Sequence, residues 1–289
     1  MADNSSSSQY FAEYQRYLTG VAYRMLGSVH DAEEVVQETF LRYESSGQIV
    51  LEAPKVWFTR VCTRICLDRI KRLSTRREQY PGQWLPEPFI ESEDQVTIDE
   101  TLSMALMIGL SSLSSKERAV FLLHDIFDYN FNEIAATLEL TTASCRQLAV
   151  RARRQIRQAR SSQRPAASEL DRITQTFLQA IRDGDAAALQ QVLAEDVRLL
   201  SDGGGKVSAV PYPLSGRDKV HTFLMRIYLP YQNGKPLIVR ACWFNGAPGL
   251  LMESAGEAAS ALQLDIEAGR IRSIFVQRNP DKLRRLMLS

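Results

Sequence analysis

Across roughly the first 160 residues, apolar positions recur every three to four residues, the spacing of helices with one buried face. In HDAEEVVQETFLRY, Val35, Val36, Thr39 and Phe40 share a face, with Glu34, Gln37, Glu38 and Leu41 opposite. Ile134, Ala135 and Leu138 repeat the pattern in FNEIAATLEL. This half therefore predicts an all-α arrangement, with Asp31 and Glu34 as a capping pair for the acidic helix. The pattern stops at 80–100, YPGQWLPEPFIESEDQVTIDE, where Pro81, Pro86 and Pro88 exclude a regular helix. It stops again at SSQRPAAS, 161–168, a linker by composition. Beyond lie one helical stretch near 168–193, an apparent helix GRDKVHTFLMRIY, and short β-rich runs, VRLLS, KPLIVRACWF and RIRSIFVQ, between turn residues. That half reads as α+β. Three glycines between VRLLS and KVSAV predict a hairpin turn or a close backbone approach.

Length and composition add limits rather than identity. At 289 residues, with 45% hydrophobic and 24% charged residues, the chain has room for about two globular domains and is neither disordered nor collagen-like. Its net charge of +1 would argue against nucleic-acid binding if evenly spread. It is not. Between Pro54 and Arg77, Lys55, Arg60, Arg64, Arg69, Lys71, Arg72, Arg76 and Arg77 face only Asp68. Trp57 and Phe58 open this basic helix, and rings beside guanidinium groups suit single-stranded nucleic acid. The same pattern also fits a helix whose Trp57, Phe58, Val61 and Ile65 are core and whose arginines are solvated.

The second basic block is more specific. FNEIAATLEL, TTAS and CRQLAVRARRQI read as helix, tight turn, helix. Cys145, Leu148, Ala149, Ala152 and Ile156 share one face of the second helix, leaving Arg146, Gln147, Val150, Arg151, Arg154 and Arg157 opposite, able to contact phosphates and base edges. Glu139 departs from the glycine such motifs often carry at the turn. The cysteines, at 62, 66, 145 and 242, have no zinc-ligand spacing, so no metal and no cofactor is expected. A reduced, cytoplasmic setting fits them, the polar start MADNSSSSQY lacks signal-peptide blocks, and no apolar run approaches a membrane span, so no membrane partner is expected.

Taken together, AYRMLGSVHDAEEVVQETFLRY followed by VWFTRVCTRICLDRIKR resembles region 2 of extracytoplasmic-function sigma factors, and the helix-turn-helix resembles region 4. WLPEP, DGGGK and NPDKL resemble the SigJ-like group, whose members carry a C-terminal SnoaL-like domain of the NTF2 superfamily. The resemblance implies a multidomain fold: region 2 over 8–78, an acidic proline-containing linker over 79–104, region 4 over 105–160, a linker over 161–168 and an α+β SnoaL/NTF2-like cone over 169–289. It implies as partners core RNA polymerase, through its β′ clamp and β subunits, and promoter DNA. Asp31, Glu34, Gln37, Glu38 and Leu41 would dock on polymerase. Lys55, Trp57, Arg60, Arg64, Arg69 and Arg72 would hold the melted minus-ten strand, and Ser144, Arg146, Gln147, Val150, Arg151 and Arg154 would read the minus-35 element. Trp84, Leu85, Pro86, Asp202, Gly203, Gly204, Gly205, Lys206, Asn279, Pro280, Asp281, Lys282 and Leu283 would form a regulatory contact between domains. The acidic linker would thread toward the polymerase active-site channel.

DGGGK lacks the GxxxxGK-Ser/Thr spacing of a phosphate loop, since Val207 follows Lys206. Relatives of the cone include enzymes with an Asp or His base, which draws attention to Asp202, His221 and Asp265, yet no paired acid and base is visible. The reading is a non-enzymatic initiation factor with an attached modulator, and it leaves room for a small-molecule ligand of the cavity. Its competitor is a ligand-responsive DNA-binding protein fused to a SnoaL-like isomerase or cyclase.

Overall fold

A computed structural model describes residues 5–47, 51–89, 103–159, 167–232, 237–254 and 259–288. The chain divides into two compact units, residues 1–78 with 107–159, and residues 79–106 with 160–289. Most of the acidic linker, 90–102, and most of SSQRPAAS lie outside the described residues.

The first unit is helical. α1 (Ser5–Leu26), α2 (Val29–Ser45) and α3 (Pro54–Glu78) bury Leu18, Val21, Met25, Val35, Val36, Phe40, Phe58, Cys62 and Ile65. Phe58 anchors the bundle with its ring 4.8 Å from that of Phe40 and 5.3 Å from that of Tyr43. The expected Asp31–Glu34 capping pair is not what starts α2. Ser28 is the N-cap, its Oγ accepting from the Asp31 amide at 3.2 Å, because it precedes the first helical residue and Asp31 already lies in the first turn. Then come α4 (Met104–Ser112), which enters this unit at Met107, α5 (Ser115–Phe121) and a π-helical turn over 122–126. Asn130 and Glu133 form a reciprocal cap for α6 (Phe131–Leu138), and α7 (Thr142–Ala159) completes the helix-turn-helix. Ile134, Leu138, Cys145, Ala149, Ala152 and Ile156 are buried, as their periodicity predicts. Glu139 takes the left-handed turn conformation itself, φ 54°, ψ 49°, a strain of about 1 kcal/mol for a residue with a Cβ.

In the second unit, the stretch expected as one helix near 168–193 is two, α8 (Ala167–Asp183) and α9 (Ala186–Val192), broken at Gly184 with φ 69°. Six strands form one sheet in the order β2-β1-β6-β5-β4-β3: β1 (Leu193–Asp202), β2 (Leu214–Ser215), β3 (Leu237–Phe244), β4 (Ala247–Ser254), β5 (Ser260–Glu267) and β6 (Arg270–Gln277). β1 runs parallel to β6, and the other pairs are antiparallel. α10 (Arg217–Gln232) and α8 supply Val220, Leu224, Ile173 and Phe177 to a core shared with Val197, Leu199, Leu262 and Ile274. Of the two outcomes expected at the three glycines, the VRLLS/KVSAV hairpin does not form, since among the described residues Leu214 and Ser215 are what pairs antiparallel with β1, and the close backbone approach does. The glycines turn the chain instead, the Lys206 and Val207 amides both donating to the Gly203 carbonyl. α11 (Pro280–Leu288) follows β6, with Pro280 at the first helical position, where no amide is needed. Among the described residues, no helix is long and apolar enough to cross a membrane.

Candidate functional site

The acidic residues of α2 fall into two groups. Gln37 and Leu41 are exposed, Leu41 by 60%, on the face away from the core. Glu38 holds Arg42 one turn on at 2.6 Å. Asp31 and Glu34 are instead drawn toward α3, where Arg69 donates to the Glu34 carboxylate and lies 3.7 Å from that of Asp31. Arg69 thus stands with the acidic face rather than with Arg60 and Arg64. Nine residues past Arg60 it is about half a helical turn away around the axis.

Arg60 and Arg64, four residues apart, share a face of α3 turned to the helix-turn-helix. Arg60 donates to the Ala136 carbonyl at 3.0 Å, and Arg64 to the Thr137 carbonyl at 3.0 Å and the Glu139 carboxylate at 2.8 Å. The last carbonyls of any helix lack intrahelical partners. Here the Glu139 and Leu140 amides serve Ala135, and the two arginines serve the next two carbonyls. Nearby, the Tyr129 hydroxyl donates to Thr59 at 2.8 Å and lies 3.3 Å from that of Tyr17, whose phenol is pushed up by burial. Arg118 donates to the Met25 carbonyl at 2.6 Å. Lys55 sits 4.6 Å above the Tyr17 ring, and Trp57 is half-buried against Tyr43 and Phe58. Lys71 and Arg72 are exposed.

α7 presents a different surface. Arg146, Gln147, Val150, Arg151, Arg154 and Arg157 are all exposed, Val150 by 65%, while Ser144 is held at the first turn by Thr141. Arg146 stacks 5.7 Å from the Phe131 ring, and Arg153, off this face, pairs with Asp125 at 2.7 Å.

Within the second unit, DGGGK, NPDKL and WLPEP meet in one network. Asp202, fully buried at the end of β1, accepts from the Tyr80 hydroxyl at 2.7 Å, the Gly204 amide at 2.9 Å, the Leu85 amide at 2.9 Å and the Lys282 ammonium at 2.8 Å. Lys282 also donates to the Leu85 carbonyl at 2.6 Å and lies 5.0 and 4.4 Å from the rings of Tyr80 and Trp84. Leu85 and Pro86 are buried, and the Pro86 carbonyl accepts from Gln277. Asn279 caps α11 by accepting from the Asp281 amide and donates to the Tyr80 hydroxyl at 3.0 Å. Gly204, φ 62°, passes so close that a Cβ there would lie 2.3 Å from the Asn279 amide nitrogen, and one on Gly205 would lie 2.5 Å from Pro81. Lys206 pairs with Asp281, whose carboxyl it holds below the usual range, and Leu283 is core. Sequence reasoning missed Tyr80, Gln277 and Asn245, the last accepting from the Phe89 amide at 3.2 Å. Nothing local marks them, because each acts on a segment more than a hundred residues away.

The three residues considered for chemistry do not assemble. Asp202 is committed to the network above, the His221 ring meets the Ala186 carbonyl at 3.1 Å, and Asp265 lies on β5. Among the described residues, no cluster could hold a metal ion.

Residues 10–76 match the Sigma-70 region 2 family, and residues 104–156 match Sigma-70, region 4. The chain is 33% identical to the "Probable ECF RNA polymerase sigma factor SigI" of Mycobacterium tuberculosis over 98% of its own length and 97% of the relative's. It is 31% identical to the ECF RNA polymerase sigma factor SigJ of the same species over 94% of this chain and 91% of that one. The crystal structure of M. tuberculosis SigJ superposes with a TM-score of 0.79 at 29% identity, covering 96% of this chain and 98% of that one. Two helical sigma regions in order, continued by an α+β domain along nearly the full length of such relatives, make this chain a member of the extracytoplasmic-function RNA polymerase sigma factors.

Proposed function

We propose that the sigma factor activity of this chain is divided among three surfaces. Exposed Gln37 and Leu41 and half-buried Glu38, with Asp31 and Glu34 oriented by Arg69, dock on the β′ clamp of core polymerase. Lys55, Trp57, Arg60, Arg64 and Arg72 hold the melted minus-ten strand, by rings and cations on one helix. Arg146, Gln147, Val150, Arg151 and Arg154 read the minus-35 element. The observation that carries the reading is the row of exposed guanidinium groups, with Gln147 and Val150 among them, along the second helix of a helix-turn-helix, the element and the side-chain types that contact phosphates and base edges in a major groove. The C-terminal domain modulates this activity by gripping the chain between the two sigma regions, a role supported by the Asp202–Lys282–Leu85 network.

Runoff transcription with core enzyme tests the assignment. Arg146→Ala with Arg151→Ala should lower transcription from a minus-35-dependent promoter while core binding persists. Glu34→Lys with Glu38→Lys should weaken core pull-down in a salt-sensitive way. Normal promoter choice by the first variant, or normal pull-down at low salt by the second, would remove the corresponding surface.

A further inference from the structure

Arg60 and Arg64 belong to the minus-ten surface proposed above, yet both are spent on the end of α6. That end is the negative pole of the helix, a row of carbonyl oxygens followed by the Glu139 carboxylate. Carbonyl oxygens and a carboxylate presented to two guanidinium groups resemble, in charge and in hydrogen-bond acceptors, the phosphates of a nucleic-acid strand. Glu139 also occupies a backbone conformation that glycine adopts without strain, so its side chain is kept there at a cost that its contact with Arg64 offsets.

Promoter geometry makes the two engagements exclusive. Elements centred near minus ten and minus 35 are about 25 base pairs apart, roughly 85 Å at 3.4 Å per base pair. The helix-turn-helix cannot sit on one while its α6 carbonyls lie 3.0 Å from the arginines that hold the other.

We infer that Glu139 and the C-terminal carbonyls of α6 are a built-in substitute for DNA phosphate, which occupies Arg60 and Arg64 in the free chain and is exchanged for the minus-ten strand when promoter is engaged. This rests on the minus-ten role of those arginines. The contact is suited to exchange: Arg64 is 38% and Glu139 77% exposed, so DNA can compete for the guanidinium without unfolding either helix. The Tyr17–Thr59–Tyr129 hydroxyls and the Arg118–Met25 bond brace the same packing and would open with it.

The full-length chain tests the inference, with Glu139→Gly as the principal variant because glycine fits the turn and spares the helix-turn-helix. Two readouts are taken without polymerase: the distance between spin labels on α2 and α7, and binding of a single-stranded oligonucleotide carrying the non-template minus-ten sequence. The expected result is a shift to longer distances and a three- to tenfold gain in oligonucleotide affinity, with Glu139→Gln intermediate. Unchanged distances, or longer ones without a gain in affinity, would overturn the exchange. Adding Arg60→Ala and Arg64→Ala to Glu139→Gly separates the underlying reading. Loss of the gained affinity upholds the minus-ten role, whereas retention shows that these arginines do not hold DNA at all.

Discussion

Arg64 and Lys282 each reach across the chain to a backbone carbonyl and to a carboxylate, Arg64 to Thr137 and Glu139, Lys282 to Leu85 and Asp202. The partners are similar and the settings are opposite. Arg64 and Glu139 are substantially in water, where water and salt compete for each charge. Lys282 is 13% exposed and Asp202 fully buried, under two aromatic rings, with the carboxylate taking four donors. A buried pair is hard to break singly, because whichever charge is left has lost its hydration as well as its partner. The same chemical vocabulary therefore gives a releasable contact in the helical unit and a fixed one in the α+β unit.

The sharpest way to break this comparison is Asp202→Ala. It strands the Lys282 ammonium together with the Tyr80 hydroxyl and the Leu85 and Gly204 amides, and should cost the α+β unit about 3–5 kcal/mol in urea denaturation. A loss below about 1 kcal/mol would mean that the network is as loose as the one at Arg64. Next comes Gly204→Ala, where the new methyl would meet Asn279 at 2.3 Å in a positive-φ conformation, for an expected loss of about 2 kcal/mol and weaker protection of the 79–89 segment in hydrogen exchange. Arg64→Ala should cost only about 1 kcal/mol of stability in the helical unit, since water replaces both acceptors' partners; a loss as large as that at Asp202 would show that exposure does not decide the difference. Smallest is Asp281→Asn. The hydrogen bond from Lys206 lowers the Asp281 carboxyl, so its contribution is present above the ordinary carboxylate range and is lost as pH falls through the lowered value. The variant should change neutral stability by less than about 0.5 kcal/mol and slightly flatten the loss below about pH 4. An unaltered acid limb would count against this pairing in solution.

Much of the candidate site was legible because it is written at helical spacing. Val35, Val36, Thr39 and Phe40 are buried, and the polar face of α7 emerged with every residue expected on it. The departure at Glu139 was legible too, though not its consequence. Residue type does not by itself name the partner: Ser28 rather than Asp31 caps α2, and Arg69, expected with the minus-ten arginines, has Glu34 and Asp31 as its neighbours. KVSAV has strand composition but no strand beside it to complete a ladder.

The sequence by itself determined the helix-turn-helix and the buried and exposed faces of α2 and α7, because these follow from intervals of three and four residues that helical geometry imposes on any chain. It also marked DGGGK, NPDKL and WLPEP as segments of interest through resemblance. Only the tertiary structure decided which charge meets which. Tyr80 and Asp202 are 122 residues apart, Lys282 and Asp202 80, and Arg64 and Glu139 75. Such pairs are set by how the elements pack, and the energy that selects them comes from desolvation and geometry at the place of meeting, which no local pattern of residues encodes.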